Sequence, residues 1–280
     1  NLWESTKDWK LVGGDDAGNN HSTIGNQQSA ADVALVENLV NPGDSRLILE
    51  AVKRKIDLKH LRNSGNAPKN VKEAISKFLN VPEGKWINKT ATEKTNLALE
   101  SCNLIATGER GKKALPTFTI IDNAEGQKPD DFPKTFLGLN SANKTGIAFV
   151  QGKFGMGSHG VLNFCKKEGL KLIISRRNPC LLEPDEKNLW GFTVIRRLEP
   201  RDGFRSSRWV YLTIDNKIPS FEKEDLGLFP GEYPNAYGNK FEYGSFIKLY
   251  NYDIGRYRAS ILFDLFNRIN TRLVNPVVPI

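Results

Sequence analysis

The spacing of apolar residues changes along the chain, and this change predicts helices in the first part and mostly strands in the second. After residue 29 the apolar positions Val33, Val36 and Leu39 recur at helical spacing, directly behind a Ser29-x-x-Asp32 pair that resembles a capping box. Further helices are predicted at 47–56, 71–79, 96–105 and 260–273. Short β-branched and aromatic runs predict strands at 117–121, 172–175, 192–195, 209–214 and 244–250.

The order of these elements favours an α/β (α+β) two-layer sandwich. Strands separated by loops of hairpin length imply an antiparallel or mixed sheet, and we expect a mixed β-sheet with helices on one face. The alternation of strand and helix that a Rossmann domain requires is missing. We divide the chain into an arm (1–28), one domain (29–275) with an insert at about 215–240, and the start of a further region (276–280).

The stretch from Ile147 to Phe164 carries a cluster of four glycines. Its apolar start predicts a strand, the glycines predict a turn, and its tail predicts the start of a helix. Glycine is required where the backbone adopts positive φ or approaches a ligand closely, and a helix N-terminus suits a phosphate. The stretch therefore predicts a nucleotide-phosphate cradle, with a tight turn that only packs as the simpler interpretation.

Two nucleotide motifs fit these glycines. The spacing Gly155-x-Gly157-x-x-Gly160 fits the dinucleotide fingerprint, and two arginines after the next apolar run could hold a 2′-phosphate. The spacing Gly152-x-x-Gly155-x-Gly157 fits instead the mobile lid of another ATP-binding fold. The order of the elements favours the lid, and an NADP-binding, Rossmann-like oxidoreductase domain is the alternative.

Charge and cysteine content limit the class of partner without fixing it. The 280 residues include 40 Lys and Arg against 32 Asp and Glu, a net charge of +8, which is compatible with a nucleotide, a nucleic acid or an acidic protein surface. Cys102, Cys165 and Cys180 are isolated, so neither a disulfide framework nor a zinc site is expected, and a reducing, cytoplasmic compartment is. No apolar run approaches the roughly 18 residues of a membrane span, so no membrane partner is expected.

Glu37, Asn41 and Asp44 are spaced at i, i+4 and i+7, which places them on one face of the first predicted helix. A carboxylate can accept a proton from water, and an amide oxygen is a hard ligand that suits Mg²⁺. The set could therefore activate water beside a metal-bound phosphate, although on spacing alone a solvated helix face is the commoner explanation. Because proline in a helix interior kinks the chain, Pro42-Gly43 leaves the position of Asp44 open.

Asp122 follows the strand predicted at 117–121 and opens the turn Asp122-Asn-Ala-Glu-Gly126. A carboxylate at the end of a strand could accept the amino group of adenine. A plain β-turn has the same composition.

Taken together and in this order, the motifs resemble the signature of the GHKL ATPase superfamily, which includes gyrase B, the ninety-kilodalton heat-shock chaperones, histidine kinases and MutL. Glu37-x-x-x-Asn41-x-x-Asp44 resembles the N box of that family, and Asp122-x-Ala124-x-Gly126 resembles its Asp-x-Gly-x-Gly turn, with alanine in place of one glycine.

The later motifs add to the resemblance. Gly152-x-x-Gly155-x-Gly157 resembles the family's lid, and Ser245, after Gly244 on a late strand, resembles the Gly-Thr that closes the site. Thr193 is a rival for that hydroxyl.

The resemblance implies the Bergerat fold, with ATP held between the helices and the lid. Glu37 would be the general base, Asn41 the Mg²⁺ ligand and Asp122 the adenine acceptor. The other ATP-binding residues that it implies are Ala124, Gly126, Gly152, Lys153, Phe154, Gly155, Met156, Gly157, Ser158 and Ser245.

The implied function is Mg²⁺-dependent ATP binding and hydrolysis that drives lid closure and homodimerisation of a larger protein. The resemblance is closer to the chaperone, microrchidia and MutL-like branches, since histidine kinases commonly lack a base at the position of Glu37. We expect the chain to be a piece of that larger protein, because its only methionine is Met156.

A binding module without turnover is the non-enzyme alternative. For a nucleic-acid partner the candidate contacts are the arginines between Arg196 and Arg208, and a solvated basic loop is the competing interpretation.

Overall fold

An antiparallel β-sheet with helices on one face forms the framework of the protein. The computed structural model describes residues 3–5, 7–58, 66–108, 115–139, 144, 146–152, 158–167, 169–200, 205–255, 261–273 and 275–280. The helices in these ranges are α1 (Asn20–Gly25), α2 (Ala31–Lys53), α3 (Val71–Leu79), α4 (Ala91–Ser101) and α5 (Ile261–Arg272). The strands are β1 (Trp9–Leu11), β2 (Cys102–Thr107), β3 (Thr117–Asp122), β4 (Lys171–Arg176), β5 (Trp190–Leu198), β6 (Arg208–Leu212), β7 (Ser220–Phe221), β8 (Leu226–Phe229), β9 (Asn239–Phe241) and β10 (Gly244–Leu249).

The main sheet has the strand order β1-β6-β5-β4-β10-β3-β2, with β7 paired to β5. The α+β class is confirmed, but each pair of strands among the described residues is antiparallel rather than mixed. The short β2–β3 and β5–β6 connections account for the antiparallel pairing of those strands, because a parallel pair needs a long crossover. An antiparallel sheet also argues against a Rossmann domain.

Local sequence signals locate several elements well. Helix α3 occupies the predicted range, with Asn70 accepting the Glu73 N–H at its start and Asn80 in the left-handed region at its end. The capping box predicted for α2 is wrong, since the N-cap is Ala30 and no side chain caps the helix. Asp32 instead binds Arg272 of α5, with 2.7 Å between Oδ2 and Nε.

Two other predictions of secondary structure are wrong. The helix predicted over 96–105 ends at Ser101, and the chain continues as β2, whose residues pair in register with β3. The strand predicted at the start of the glycine-rich stretch is a turn, and its predicted helix is a 3-10 helix of five residues, Gly160–Phe164.

Each face of the sheet has its own core. On one face Leu35, Leu39 and Leu47 of α2 pack with Phe118 and Ile120 of β3. On the other face Ile121, Trp190, Phe241 and Phe246 form a separate cluster, to which the β8–β9 hairpin contributes. The predicted insert therefore contains a hairpin that covers the face opposite α2.

The N-terminal arm packs on the domain through Trp3 and Trp9. Strand β1 pairs with β6, and the Arg196 guanidinium lies 4.2 Å from the Trp3 ring and 4.1 Å from the Trp9 ring. Arg196 is 4% exposed and donates a hydrogen bond to the Trp3 carbonyl. Stacking of a desolvated guanidinium on tryptophan stabilises this attachment.

The last described segment packs on α2. Val277 and Val278 are buried in the core beside the helices, and the Trp86 indole donates to the Pro276 carbonyl. Contacts within the chain thus account for the apolar character of Val277 and Val278, whereas Ile280 is 40% exposed.

Candidate nucleotide-binding site

Three strands place polar residues in one row on the face of the sheet that α2 covers. Asp122, Ser245 and Ser175 are direct cross-strand partners on β3, β10 and β4. The next row on the same face is apolar, with Ile120, Ile247 and Ile173 paired in the same way, because side chains alternate between faces along a strand. The polar row therefore lies at the edge of the core, and its three residues are buried.

The Asp122 carboxylate, at the end of β3, accepts a hydrogen bond from the turn that follows it. Its Oδ1 accepts the Ala124 N–H at 3.0 Å, and the Ser245 hydroxyl also donates to the carboxylate. The pKa of Asp122 is raised to about 7, chiefly by burial and also by the nearby Glu125 charge, and these two hydrogen bonds oppose the rise. A carboxylate held in this way can accept a hydrogen bond from a buried ligand.

The GHKL turn that the segment after Asp122 resembles has glycine at two positions, which are 124 and 126 in this sequence. Only position 126 requires glycine here. Gly126 has φ +59°, and a Cβ there would lie 1.8 Å from the Arg176 carbonyl oxygen. Ala124 is not among the residues with positive φ, so alanine at that position causes no backbone strain. The departure from the family's glycine is therefore compatible with the same turn.

The sheet separates the two candidates for the late-strand hydroxyl. Ser245 is the direct partner of Asp122. Thr193 lies on β5, beyond β4, and its hydroxyl donates to the Leu212 carbonyl at 2.8 Å. Of the two, Ser245 is the one beside the predicted adenine acceptor.

Helix α2 runs without a break through Pro42, from Ala31 to Lys53, and it brings Asp44 to the base of the glycine-rich stretch. Asp44 is fully buried, and its carboxylate accepts the N–H groups of Gln151 and Gly152, each at 2.8 Å. A Cβ on Gly152 would lie 3.1 Å from Asp44 Oδ2 and 3.5 Å from Asn41 Oδ1. Asn41, Asp44 and Gly152 therefore meet, which fixes the position of Asp44 that the sequence left open.

Glu37 lies on α2, and its two carboxylate oxygens differ in their hydrogen bonding. Its Oε1 accepts a hydrogen bond of 2.5 Å from Gln28 Nε2. Its Oε2 is buried and has no hydrogen-bond partner among the described residues. Burial raises the pKa of this carboxyl, and since buried polar atoms are normally paired, the open oxygen is suited to a water or a ligand.

A hydrogen-bonded link joins α2 to the turn after Asp122. The Ser45 hydroxyl lies 3.1 Å from Glu125 Oε2 and accepts the Glu125 N–H. Burial raises the pKa of Glu125, and the Arg177 and Lys144 charges oppose this. The link holds the face of α2 that carries Asp44 against the polar row of the sheet.

Lys144 is the cation that faces these carboxylates. Its Nζ lies 3.5 Å from Asp44 Oδ2, and its charge also lowers the pKa values of Asp122 and Glu125. The sequence pattern gave no signal for Lys144, and the link between Ser45 and Glu125 was missed as well. Ser175 could have been found from the alternation along β4, where it shares a face with Lys171.

The glycine-rich stretch is described only at its two ends. Lys153, Phe154, Gly155, Met156 and Gly157 lie outside the described residues. The Ser158 carbonyl accepts a hydrogen bond of 2.9 Å from Lys171 Nζ, a buried ammonium whose pKa is lowered to about 8 by burial. The α-helix N-terminus predicted for a phosphate is not formed, because only a short 3-10 helix follows Ser158.

The residues around Asn41 fit a magnesium ion that is coordinated mainly by the phosphates of a bound nucleotide and by water. The described residues contain no group of three or more His, Cys, Asp or Glu that could hold a metal ion by itself. Mg²⁺ commonly takes one or two protein oxygens and completes its shell with phosphate and water. Among the described hydrogen bonds none uses the Asn41 amide, so its oxygen is suited to that role.

Two other surfaces are distinct from this site. A groove of about 290 Å³ is lined by Leu79 of α3, by Trp86 from the segment between α3 and α4, and by α4 residues including Leu97, and it contains none of the predicted site residues. Arg196 is buried against the arm, and Arg197 binds Glu199 at 2.7 Å. The hypothesis of a nucleic-acid contact therefore depends on the other arginines of the cluster, of which Arg201 lies outside the described residues.

Comparison with protein-family models gave no match, and a search of curated proteins gave none. The resemblance to GHKL ATPases therefore stays a prediction that is judged on the site itself. Across the ranges that the structure describes, no helix is long and apolar enough to cross a membrane. The three cysteines are unpaired.

Proposed function

We propose that this chain is an ATP-binding and ATP-hydrolysing module of the GHKL type with a Bergerat fold, dependent on Mg²⁺. The observation that carries the proposal is the meeting of α2 with the polar row of the sheet. Asn41 and Asp44 lie next to Gly152, and the helical spacing places Glu37 on the same face of α2. The contact between Ser45 and Glu125 joins this helix to the turn after Asp122.

Each residue has a role that its surroundings support. Asp122 and Ser245 would bind the adenine amino group from the buried end of the site. Asn41 would hold Mg²⁺, which supplies charge neutralisation for the phosphates. Glu37 Oε2 would accept a proton from water while the water oxygen bonds to the γ-phosphorus and the bond from that phosphorus to the bridging oxygen breaks, which gives ADP and phosphate.

The charge of the site supports a metal-bound ligand. Asp44, Asp122, Glu125 and Glu37 all carry carboxyl groups there. Among the described residues Lys144 faces the first three, and the Arg177 guanidinium lies 3.7 Å from Glu125. A free triphosphate would be repelled by such a site, whereas a divalent cation reduces this repulsion. We therefore expect ATP affinity to fall when Mg²⁺ is removed with a chelator.

In a larger protein this activity would drive lid closure and homodimerisation, and a cytoplasmic location is in keeping with the unpaired cysteines.

The experiment compares Glu37→Ala with the wild-type chain and with Glu222→Ala, a control at an exposed carboxylate. Calorimetry measures MgATP affinity, and phosphate release measures turnover. We expect Glu37→Ala to bind MgATP normally and to lose about 10²–10⁴ in rate, since that is the usual contribution of a general base. Turnover at the wild-type rate would exclude this role.

A thermal-shift comparison of MgATP with NADPH separates the proposed function from the oxidoreductase alternative. A ligand that binds only the folded state raises the apparent stability by RT ln(1 + [L]/Kd). We expect a shift with MgATP and none with NADPH. The reverse result would favour dinucleotide binding.

A further inference from the structure

Gln28, three residues before α2, contacts the proposed base from outside the helix. Its Nε2 donates the hydrogen bond to Glu37 Oε1. The second carboxylate oxygen, Oε2, is buried and has no hydrogen-bond partner among the described residues. A carboxylate that is fixed through one oxygen can turn only about that contact, so Gln28 determines where Oε2 points.

Gly160 provides the space that the Gln28 side chain occupies. A Cβ on Gly160 would lie 2.8 Å from Gln28 Cγ and 3.2 Å from Gln28 Cβ. Gly160 does not have positive φ, so its backbone conformation does not require glycine. The close approach of Gln28 is the physical reason for the absence of a side chain at this position.

Gln28 therefore lies between Glu37 on α2 and the 3-10 helix that follows the glycine-rich stretch. Any displacement of Gly160 toward α2 would press on Gln28 and so change the orientation of the carboxylate. The neighbouring Gln27 has no described contact with Glu37, and its Cβ lies farther away, 3.6 Å from the same built position.

We propose that Gln28 is a positioning residue that orients Glu37 for proton abstraction, and that Gly160 is small because Gln28 must fit against it. The inference rests on the proposed ATP hydrolysis. Because a general base must lie within hydrogen-bond reach of the water that it deprotonates, an unfixed carboxylate would bind MgATP normally and hydrolyse it slowly.

The test is a double-mutant cycle between Gln28→Met and Glu37→Ala, measured as kcat, KM and MgATP affinity on the full chain. Methionine keeps the length of glutamine and removes the hydrogen-bond donor. We expect Gln28→Met to lower kcat by about 10- to 100-fold, the usual effect of losing a hydrogen bond to a charged group. KM and melting temperature should stay close to those of the wild type, and Gln28→Met should cause no further loss in the Glu37→Ala background.

Two further variants separate positioning from a purely structural role. Gln27→Met is the matched control, with the same substitution one residue away, and it should keep the wild-type kcat. Gly160→Ala should lower kcat in the wild-type background and have little further effect with Gln28→Ala, because alanine lacks the Cγ that makes the closest contact, at 2.8 Å.

The outcomes distinguish the inference from the proposed function. If Glu37→Ala abolishes turnover and Gln28→Met does not lower kcat, the positioning role is wrong and the proposed function stands. An equal loss from Gln28→Met with and without Glu37, or a loss of MgATP affinity together with stability, would also overturn the positioning role. If Glu37→Ala hydrolyses ATP like the wild type, the proposed function itself is wrong.

Discussion

Replacing Asp122 with asparagine should stabilise the nucleotide-free protein and abolish ATP binding at the same time. Asp122 is 5% exposed, and burial raises its pKa to about 7. Asparagine keeps an oxygen that can accept the Ala124 N–H but carries no charge. The substitution therefore removes a buried charge and preserves the hydrogen bond that shapes the turn.

The sign of the stability effect follows from proton linkage. The folded-state pKa of about 7 lies above the ordinary value of 3.8, so the folded protein retains a proton that the unfolded chain releases between these pH values. The Asp122 contribution to the free energy of unfolding thus decreases as pH rises through this window and is least favourable above pH 7. At about 1.36 kcal/mol for each pKa unit, the full effect is about 4 kcal/mol.

The variant lacks this titration, so its advantage over the wild type should grow with pH. Urea denaturation should give similar free energies of unfolding near pH 4 and a difference that approaches about 4 kcal/mol at pH 8. Asp16→Asn, at an exposed carboxyl, serves as the control for loss of one charge. The same pH dependence in Asp122→Asn and the wild type would refute the stability argument.

The same group should control ATP affinity. The adenine amino group donates a hydrogen bond, so the ionised carboxylate is the better acceptor. Wild-type affinity should weaken about tenfold for each pH unit below 7, and Asp122→Asn should bind no ATP in calorimetry. Affinity in the variant equal to that of the wild type would exclude Asp122 as the adenine acceptor.

Two further predictions concern the backbone and the buried lysine of the site. Gly126→Ala places a Cβ 1.8 Å from the Arg176 carbonyl at φ +59°, so it should lower the free energy of unfolding by more than about 1 kcal/mol and weaken ATP binding, whereas Gly18→Ala, with open space around it, should do neither. Burial lowers the pKa of Lys171 from the ordinary 10.5 to about 8, so its contribution to the free energy of unfolding of the wild type should rise with pH between these values. Lys171→Met should lack that rise and should be more stable than the wild type at pH 7. If urea denaturation shows the same pH dependence of the free energy of unfolding for Lys171→Met and the wild type, the prediction for Lys171 is wrong.

Local sequence patterns were sufficient where short-range preferences decide the structure. Helix α3 has its own caps at Asn70 and Asn80, and strand β3 begins with an unbroken run of β-branched and aromatic residues from Thr117 to Ile121, so both the type and the position of these elements could be predicted. The boundary at Ser101 could not. Residues 102–105 fit a helical period, and they form a strand because they pair with β3, a contact that the local spacing does not contain.

The candidate site was predictable residue by residue but not in its arrangement. The resemblance gave Asp122 and left Ser245 and Thr193 as rivals for the late hydroxyl. Only the register of the sheet distinguishes them, since Ser245 is opposite Asp122 and Thr193 is opposite Ile173. Gln28 and Lys144 were missed because neither belongs to a periodic pattern and both meet the site through tertiary contacts.

Pro42 shows how tertiary contacts override a local rule beside the site. Proline has no N–H and should kink or end a helix, yet α2 continues to Lys53. The three residues after it are contacted from other parts of the chain: Gly43 closely approaches Val277, Asp44 binds the Gln151 and Gly152 N–H groups, and Ser45 bonds to Glu125. These contacts stabilise the helix where its own hydrogen bond is missing, and two of them join the helix to the glycine-rich stretch and to the turn after Asp122. The local rule therefore fails at the position where the parts of the proposed site meet, which is where a functional constraint is expected to override propensity.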